Sequence, residues 1–404
     1  MAAKALRLFA LALAALIGAH PAQAAEEVLR KAEGDYVANN FRFTSGEVLP
    51  ELRLHYTLLG KPHRNAAGHI DNAVLILHGT GGSGHSFLAD KFAGVLFGKD
   101  QLLDAGRYFI ILPDGIGHGQ SSKPSDGLHM HFPQYGYEDM VAAQYALVTQ
   151  GLQVDHLRLV MGTSMGCMHT WIWGESHGDF VDALMPLACL PQQIAGRNRV
   201  WRDLIIEAIR NDPHWTQGDY KDEPMGALRD AAGMLLIAGS APIQMQISLA
   251  TRDAADEFVQ KYMERELPEL DANDLLYQIA ASRDYDPAAG LENIRAPLMW
   301  INSGDDFINP PELAIAEKQI GRVKNGHFVL LPASDQTHGH GTHSWPAVWQ
   351  QYLAQLLAQS APPSAAARPP AHSTQPGTAS QRHTSAKAGP CSICKKYWAI
   401  QRLR

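Results

Sequence analysis

Cysteine is scarce in this sequence, with four among 404 residues. So few cysteines cannot cross-link a chain of this length into a disulfide-dense scaffold. Glycine and proline follow no collagen-like period, and the sequence has no internal repeats. The net charge of −7 lacks the basic surplus that nucleic-acid-binding proteins normally carry, so we expect no nucleic-acid partner. With 46% hydrophobic residues, the chain is too apolar to be disordered throughout.

Long apolar runs are also lacking, apart from one near the N-terminus. Lys4 and Arg7 precede an apolar run over residues 8–19, and Ala22-Gln23-Ala24 has the small-x-small pattern of a cleavage site. Residues 1–24 are therefore predicted to be a signal peptide cleaved after Ala24, which makes the mature protein periplasmic or secreted. An uncleaved anchor is the alternative. The run is short for a membrane span of about 20 residues, so we expect no stable membrane insertion after cleavage.

Residues 360–404 differ from the rest of the chain in composition. They are rich in alanine, proline, serine, threonine and glutamine, and they carry seven Lys or Arg but no Asp or Glu. This composition predicts a disordered basic tail. Because the leader contributes two positive charges and the tail seven, residues 25–359 are left with about −16. Cys391 and Cys394 form a lone CxxC, which without a second ligand pair indicates an incidental disulfide rather than a zinc site.

The body between these ends alternates strand-like and helix-like segments. An antiparallel pair is predicted over residues 41–59, and short apolar runs predict buried strands at 73–77, 108–112, 157–161, 184–190, 298–301 and 328–331. Helices are predicted at 137–150, 165–176 and 345–359. This alternation predicts an α/β fold with a mostly parallel central sheet flanked by helices.

Residues 192–295 are too many for a single crossover between two strands. They contain helix-like stretches at 198–211, 254–266 and 273–283. We expect them to form a helical lid, inserted between a first core part at 25–191 and a second at 296–359.

A pentapeptide with a central serine follows one of the buried strands. Gly162-Thr163-Ser164-Met165-Gly166 fits G-x-S-x-G between a strand and a helix, the setting of a nucleophile elbow. Small flanking residues permit the tight turn that exposes the serine. Ser164 is therefore the predicted nucleophile, and the alternative is a glycine-flanked serine in an ordinary turn.

A nucleophilic serine needs a base and an orienting carboxylate, which should follow it in the order acid, then histidine. Asp305 and Asp306 both lie just beyond the strand at 298–301, and the four-residue offset to Pro310 favours Asp306. The base should lie in the loop over residues 337–343, where His340 follows a glycine and His343 is the second candidate. Three histidines in that loop, His338 among them, are also compatible with a metal site, but a metal would explain neither Ser164 nor Asp306. We therefore expect no metal.

The loop after the first buried strand should help to bind an oxyanion. Its donors are predicted to be Thr80, with Gly81 close behind, and the backbone amide of Met165. The same loop fits the dinucleotide-binding pattern G-x-G-x-x-G at Gly79, Gly81 and Gly84. An acidic residue that ends a strand about 20 residues further on is missing, and we expect no cofactor.

Ser164, Asp306 and His340, with the loop at 114–121, resemble the α/β-hydrolase superfamily. More narrowly, residues 40–356 are similar to the homoserine O-acetyltransferase family, above all in Asp-Pro-His-Trp at 212–215 followed by Gly-Asp-Tyr at 218–220. The resemblance implies a Ser–Asp–His triad, ping-pong transfer of acetyl from acetyl-CoA to homoserine, and often a homodimer. It also implies a lid arginine that binds the acceptor's carboxylate. Arg197, Arg199 and Arg202 are candidates, and Arg202 is taken as the substrate-binding residue.

The sequence departs from this family at three places in the site. The elbow has Thr163 and Cys167 where the family has glycines, the oxyanion loop reads His-Gly-Thr-Gly-Gly rather than His-Ala-Leu-Thr-Gly, and Gly341 replaces the usual aspartate after the base. Cys167 and Cys189 are predicted to be buried packing residues, and a disulfide between them is left open.

Export bears on the identity of the acyl acceptor. Acetyl-CoA is made and kept in the cytoplasm, so an exported enzyme would not meet it. The leading prediction is therefore an exported serine hydrolase that acts on a small-molecule ester. The first alternative is an O-acyltransferase of the homoserine O-acetyltransferase type, and the second is an inactive binding module.

Overall fold

The computed structural model describes residues 31–361. The predicted signal peptide at residues 1–24 and the pair Cys391 and Cys394 lie outside the described residues. At the C-terminal boundary, Ser360 is buried, and its hydroxyl accepts a hydrogen bond from Arg158 at 2.9 Å. The folded body therefore includes Ser360, which was predicted to be the first residue of the tail.

Eight strands form one mixed sheet in the order β1-β2-β4-β3-β5-β6-β7-β8. The strands are β1 (Lys31–Arg42), β2 (Val48–Leu59), β3 (Ala73–Leu77), β4 (Phe109–Pro113), β5 (Leu159–Thr163), β6 (Leu184–Leu187), β7 (Leu298–Ser303) and β8 (Gly326–Leu331). β2 pairs antiparallel with both β1 and β4, and all pairs from β4 to β8 are parallel. The predicted mostly parallel sheet is confirmed.

The central strands are buried on both faces because helices cover each side. In β3, Val74 and Ile76 pack into one hydrophobic cluster, while Leu75 and Leu77 pack into the other. This arrangement explains why β3 is an unbroken apolar run rather than an alternating one.

Helices cover the sheet and form the insertion. Those of the described core are α1 (Asp90–Leu96), α2 (Tyr137–Ala146), α3 (Met165–Ser176), α9 (Ile315–Ile320) and α10 (Pro346–Gln359). Between β6 and β7 lie α4 (Gly196–Asn211), α5 (Met225–Gly239), α6 (Pro242–Ser248), α7 (Arg252–Glu266) and α8 (Ala272–Ala280). These five helices occupy the segment that was predicted to form a lid. Within the described part of the chain, no helix has the length and apolar character needed to cross a membrane.

Several predicted boundaries were wrong, for identifiable reasons. β1 begins at Lys31, ten residues before the predicted pair, because this edge strand is mostly exposed and therefore polar. The strand predicted over 184–190 ends at Leu187, where Ala188 turns the chain with a φ of 66°. α2 gives way to a π-helical turn after Ala146. α5 was missed because it contains three glycines, which are weak helix formers.

Candidate active site

Ser164 stands in a sharp turn between β5 and α3. Its φ of 53° and ψ of −109° are rare for a residue with a side chain, and such backbone strain is concentrated at functional sites. A side chain at Gly162 would overlap the carbonyl oxygen of Gly166, and one at Gly166 would overlap that of Leu77. The two glycines of the pentapeptide are thus required by close backbone approach on either side of the serine.

A chain of hydrogen bonds connects the serine, the histidine and the aspartate predicted from the sequence. His340 Nε2 lies 2.8 Å from Ser164 Oγ, and His340 Nδ1 lies 2.9 Å from Asp306 Oδ2. Asp306 and His340 are buried, whereas Ser164 is partly accessible. Residues that are more than 30 positions apart in sequence therefore meet at the edge of the sheet formed by the carboxyl ends of the parallel strands.

The structure separates the two candidate carboxylates. Asp305 does not contact His340; it accepts hydrogen bonds from the Ser303 hydroxyl, from Thr337 Oγ1 at 2.9 Å and from the Gly339 amide at 3.0 Å. These contacts hold the loop that carries His340.

Burial alone would raise the pKa of Asp306, but the charge of His340 and hydrogen bonds from His340 and Asn309 outweigh it, so this pKa is lowered from its usual value.

Asn309 supports Asp306, a contact that sequence reasoning missed. Its Nδ2 donates to Asp306 Oδ2 at 2.9 Å and to the Ala188 carbonyl at 3.1 Å, while its amide donates to Asp306 Oδ1 at 3.1 Å. The Ile308 amide donates to the same oxygen at 2.7 Å. Asn309 thus fixes the carboxylate relative to the end of β6. The only sequence signal was its place between Asp306 and Pro310.

The other two histidines of the loop over residues 337–343 have different environments. His338 stacks on Trp345, with ring centroids 4.2 Å apart. His343 lies edge-on to His340 at 5.3 Å, and its burial lowers its pKa to about 3, so it is uncharged at neutral pH. Among residues 31–361, no group of three or more His, Cys, Asp or Glu side chains is placed to hold a metal ion.

The predicted oxyanion donors flank the serine. The loop after β3 passes so close that a Cβ at Gly79 would lie 3.2 Å from Ser164 Cβ, and Thr80 follows directly. Met165 is the first residue of α3, and the first amides of a helix have no carbonyl within that helix to bond. Thr80 thus follows the residue that packs against Ser164, and Met165 adjoins Ser164 in sequence.

The three candidate lid arginines lie in different places. Arg202 is buried, donates to Asn198 Oδ1 at 3.0 Å and to the Ser282 hydroxyl at 3.2 Å, and lies near the hydroxyl of Tyr137, which also neighbours Thr80. Burial lowers the pKa of Arg202. Arg197 stacks on Phe307, the residue after Asp306, with its guanidinium carbon 3.9 Å from the ring centroid.

Arg199 forms an ion pair with Asp203 at 2.9 Å. By contrast, the hydrogen bonds of Arg202 go to Asn198 and Ser282, its guanidinium lies over the ring of Trp201, and it has no acidic partner among the described residues. Of the three arginines, it combines burial, an unbalanced charge and proximity to the oxyanion loop.

Comparison with known proteins decides the family. Residues 72–347, more than half of the chain, match the family model for the alpha/beta hydrolase fold. The chain belongs to the α/β-hydrolase fold family. It is 28% identical to a homoserine O-acetyltransferase of Pelobacter propionicus, over 75% of this chain and 90% of that protein.

Solved structures share the fold of this α/β-hydrolase. A homoserine O-acetyltransferase from Bacillus anthracis superposes with a TM-score of 0.70 at 20% identity, covering 81% of this chain and 97% of that one. The acetyl esterase MekB superposes with a TM-score of 0.68 at 24% identity, covering 82% and 96%. The predicted resemblance to the homoserine O-acetyltransferases is confirmed.

A disulfide joins two parts of the site in this α/β-hydrolase. Cys167, in the first turn of α3, is bonded to Cys189, two residues beyond β6, across a separation of 22 residues. Both cysteines are fully buried. The Cys189 carbonyl also accepts hydrogen bonds from Trp300 Nε1 at 3.0 Å and Asn302 Nδ2 at 3.1 Å. The helix that follows Ser164 is thereby fixed to the strand end that Asn309 contacts.

Proposed function

We propose that this protein is an exported serine hydrolase that cleaves small-molecule esters through Ser164, His340 and Asp306. The observation that carries the proposal is the continuous hydrogen-bonded chain from Ser164 Oγ through both ring nitrogens of His340 to Asp306. Such a chain has no evident structural purpose at a strained, partly exposed serine. It also argues against an inactive binding module.

The geometry supports a two-step reaction. Ser164 Oγ attacks the ester carbonyl while His340 Nε2 takes its proton, and the amides of Met165 and Thr80 stabilise the developing oxyanion. His340 then gives that proton to the departing alcohol, leaving an acyl-serine. Water, deprotonated by His340, attacks the acyl-serine, which releases the acid and restores the Ser164 hydroxyl. Asp306 keeps the imidazole oriented and stabilises its charged form.

Water is the proposed acceptor because of the proposed export. The disulfide between Cys167 and Cys189 supports export, since such bonds persist in oxidising compartments and are rare in the cytosol. An enzyme outside the cytoplasm would not meet acetyl-CoA. Mass measurement of the chain from a periplasmic fraction tests export, and a chain that still begins at Met1 in the cytosol would contradict it.

The second candidate function is O-acyl transfer to a hydroxyl acceptor. The observation that favours it is the similarity to homoserine O-acetyltransferases over 90% of the length of one relative. Hydrolysis and transfer share the acyl-serine and differ only in what attacks it. They can therefore be separated by their products.

A product assay tests hydrolysis against transfer. With p-nitrophenyl acetate as donor and homoserine present, we expect free acetate to exceed O-acetylhomoserine at least tenfold, and acetyl-CoA to be a poor donor. Products are quantified by mass spectrometry, with Ser164→Ala protein as the blank. O-acetylhomoserine formed faster than acetate, from either donor, would replace the hydrolase proposal with the transferase one.

Arg202 is proposed to contact the substrate, because its buried charge has no acidic partner among residues 31–361 and the Tyr137 hydroxyl lies near both Arg202 and Thr80 of the oxyanion loop. A hydrogen bond to a charged group contributes about 1.5–3 kcal/mol. Arg202→Gln should therefore raise KM roughly tenfold or more for an ester that bears a carboxylate, and much less for an uncharged ester. Arg199→Gln, at a partly buried arginine of the same helix that pairs with Asp203, is the control. Equal effects on both esters would mean that Arg202 has only a structural role.

A further inference from the structure

A cavity of about 760 Å³ lies between the lid and the loop that carries Asp306. Its wall includes Asp306, the three residues that follow it, and Met168, one helical turn beyond Ser164. The lid contributes residues from the start of α4 and around the end of α5. Its volume falls within the range of pockets that bind small organic ligands, about 300–1,000 Å³.

The wall of this cavity is largely apolar. The aliphatic and aromatic side chains that define it include Leu190, Ile194, Ile237, Phe307, Ile308 and Leu313. Ile237 and Leu313 are 55% and 50% exposed, which is unusual for large apolar side chains that share a concave surface. An apolar occupant would remove this surface from water.

The charged groups in the wall already have partners or face solvent. The Arg197 guanidinium stacks on Phe307 and donates to its carbonyl at 2.6 Å. Asp305 accepts a hydrogen bond from the Gly339 amide, and Asp306 is hydrogen-bonded to His340. Glu312 is exposed. The wall therefore provides shape and apolar surface rather than a partner for a charged ligand.

The cavity adjoins the elements that hold the reacting groups. Ile308 and Asn309, whose amides bond Asp306, both line it. Ser240, another wall residue, packs against Gly339, which immediately precedes His340. The wall thus shares Met168 with the helix that follows Ser164, and it shares Ile308 and Asn309 with the support of Asp306.

We propose that the cavity binds an uncharged aliphatic chain of the ester substrate, longer than acetyl. The expected effect on catalysis rests on the proposed ester hydrolysis, whereas binding of the aliphatic chain does not depend on it. The chain belongs either to the acyl group or to the alcohol, and the two are distinguished by the substrate series used.

Two ester series test the proposal. p-Nitrophenyl esters from acetate to dodecanoate lengthen the acyl chain, and alkyl acetates from methyl to decyl lengthen the alcohol. In one of the series, kcat/KM is expected to rise about fourfold per methylene over the first several carbons, as the burial of CH2 groups predicts. A rate that is flat or falls beyond two carbons in both series would overturn the proposal.

A matched pair of lid variants localises the effect. Ile237 lies in the wall, whereas Ile247 is a similarly exposed isoleucine of the lid that does not line the cavity. Ile237→Gln should lower the ratio of kcat/KM for the eight-carbon ester over the two-carbon ester at least tenfold. Ile247→Gln should leave that ratio as in the wild type. An equal change in both variants would place the chain elsewhere.

Binding without turnover separates this inference from the proposed function. Ser164→Ala protein is titrated by calorimetry with methyl octanoate, octyl acetate and methyl acetate. At least one of the two long-chain esters should bind, more weakly in a protein that also carries Ile237→Gln, and methyl acetate should not. If a long-chain ester binds this way but no ester is hydrolysed by the wild type, the hydrolase proposal fails and the cavity assignment stands. If short esters are hydrolysed and neither long-chain ester binds, the cavity assignment fails.

Discussion

Ser164→Ala is expected to abolish ester hydrolysis, with kcat lowered by about 10⁴-fold to 10⁶-fold. The reason is that no other hydroxyl is placed within hydrogen-bonding distance of His340 Nε2 among the described residues. The residual rate would come from the oxyanion site alone. The variant should fold normally, because it loses one side-chain hydrogen bond, to His340, and keeps the backbone contacts of the turn.

A fluorophosphonate probe gives a readout that is independent of the substrate. It should label the wild-type protein stoichiometrically and fail to label Ser164→Ala. Ser303→Ala is a suitable control, because the Ser303 hydroxyl contacts Asp305 rather than His340. Labelling that persists in Ser164→Ala, or that is lost in Ser303→Ala, would show that the nucleophile has been assigned wrongly.

The neighbouring aspartates provide the second large effect. Asp306→Asn should lower kcat by about 10⁴-fold, as loss of the carboxylate removes the group that fixes the histidine tautomer and stabilises its charged form. Asp305→Asn should lower kcat about tenfold at most, because Asp305 contacts Ser303 and the loop that precedes His340 but not His340 itself. The two substitutions have the same chemistry at adjacent positions, so any general effect of removing a carboxylate is matched.

The measurement is kcat for the same ester at a pH where the wild-type rate is constant, with thermal unfolding as a check on folding. The lowered pKa of Asp306 means that this carboxylate is charged throughout the neutral range, so its loss should be seen at every such pH. A larger loss from Asp305→Asn than from Asp306→Asn would exchange the roles of the two residues.

The parts of the site that follow local rules were predictable from the sequence. Ser164 could be located because a tight turn between a buried strand and a helix requires glycines at fixed positions. Asp306 could be located because it lies just beyond a strand end and four residues before Pro310. His340 was favoured over His343 by the preceding glycine. In each case a short segment carries the information, and the parallel sheet brings those segments together at one edge.

The parts that depend on tertiary contacts were not predictable. Asn309 acts by joining Asp306 to the end of β6, and nothing in residues 306–310 indicates that Ala188 is near. The cavity is lined by α5, a helix that was not predicted from the sequence, and by the loop that carries Asp306. The disulfide could not be predicted, because sequence spacing does not give the distance between α3 and the end of β6. The structure places the Cα atoms of Cys167 and Cys189 5.8 Å apart. Polar edge strands such as β1 and glycine-containing helices such as α5 also lack the periodicity that identifies buried elements.

The bond between Cys167 and Cys189 has a consequence for how the protein is produced. A chain expressed in a reducing cytosol would reach its fold with two free buried thiols. Closing a loop of 22 residues removes conformational entropy from the unfolded chain worth about 3 kcal/mol. Reduced and oxidised preparations of the same sequence would then differ in thermal stability. The host compartment chosen for expression thereby sets how long the enzyme survives heating.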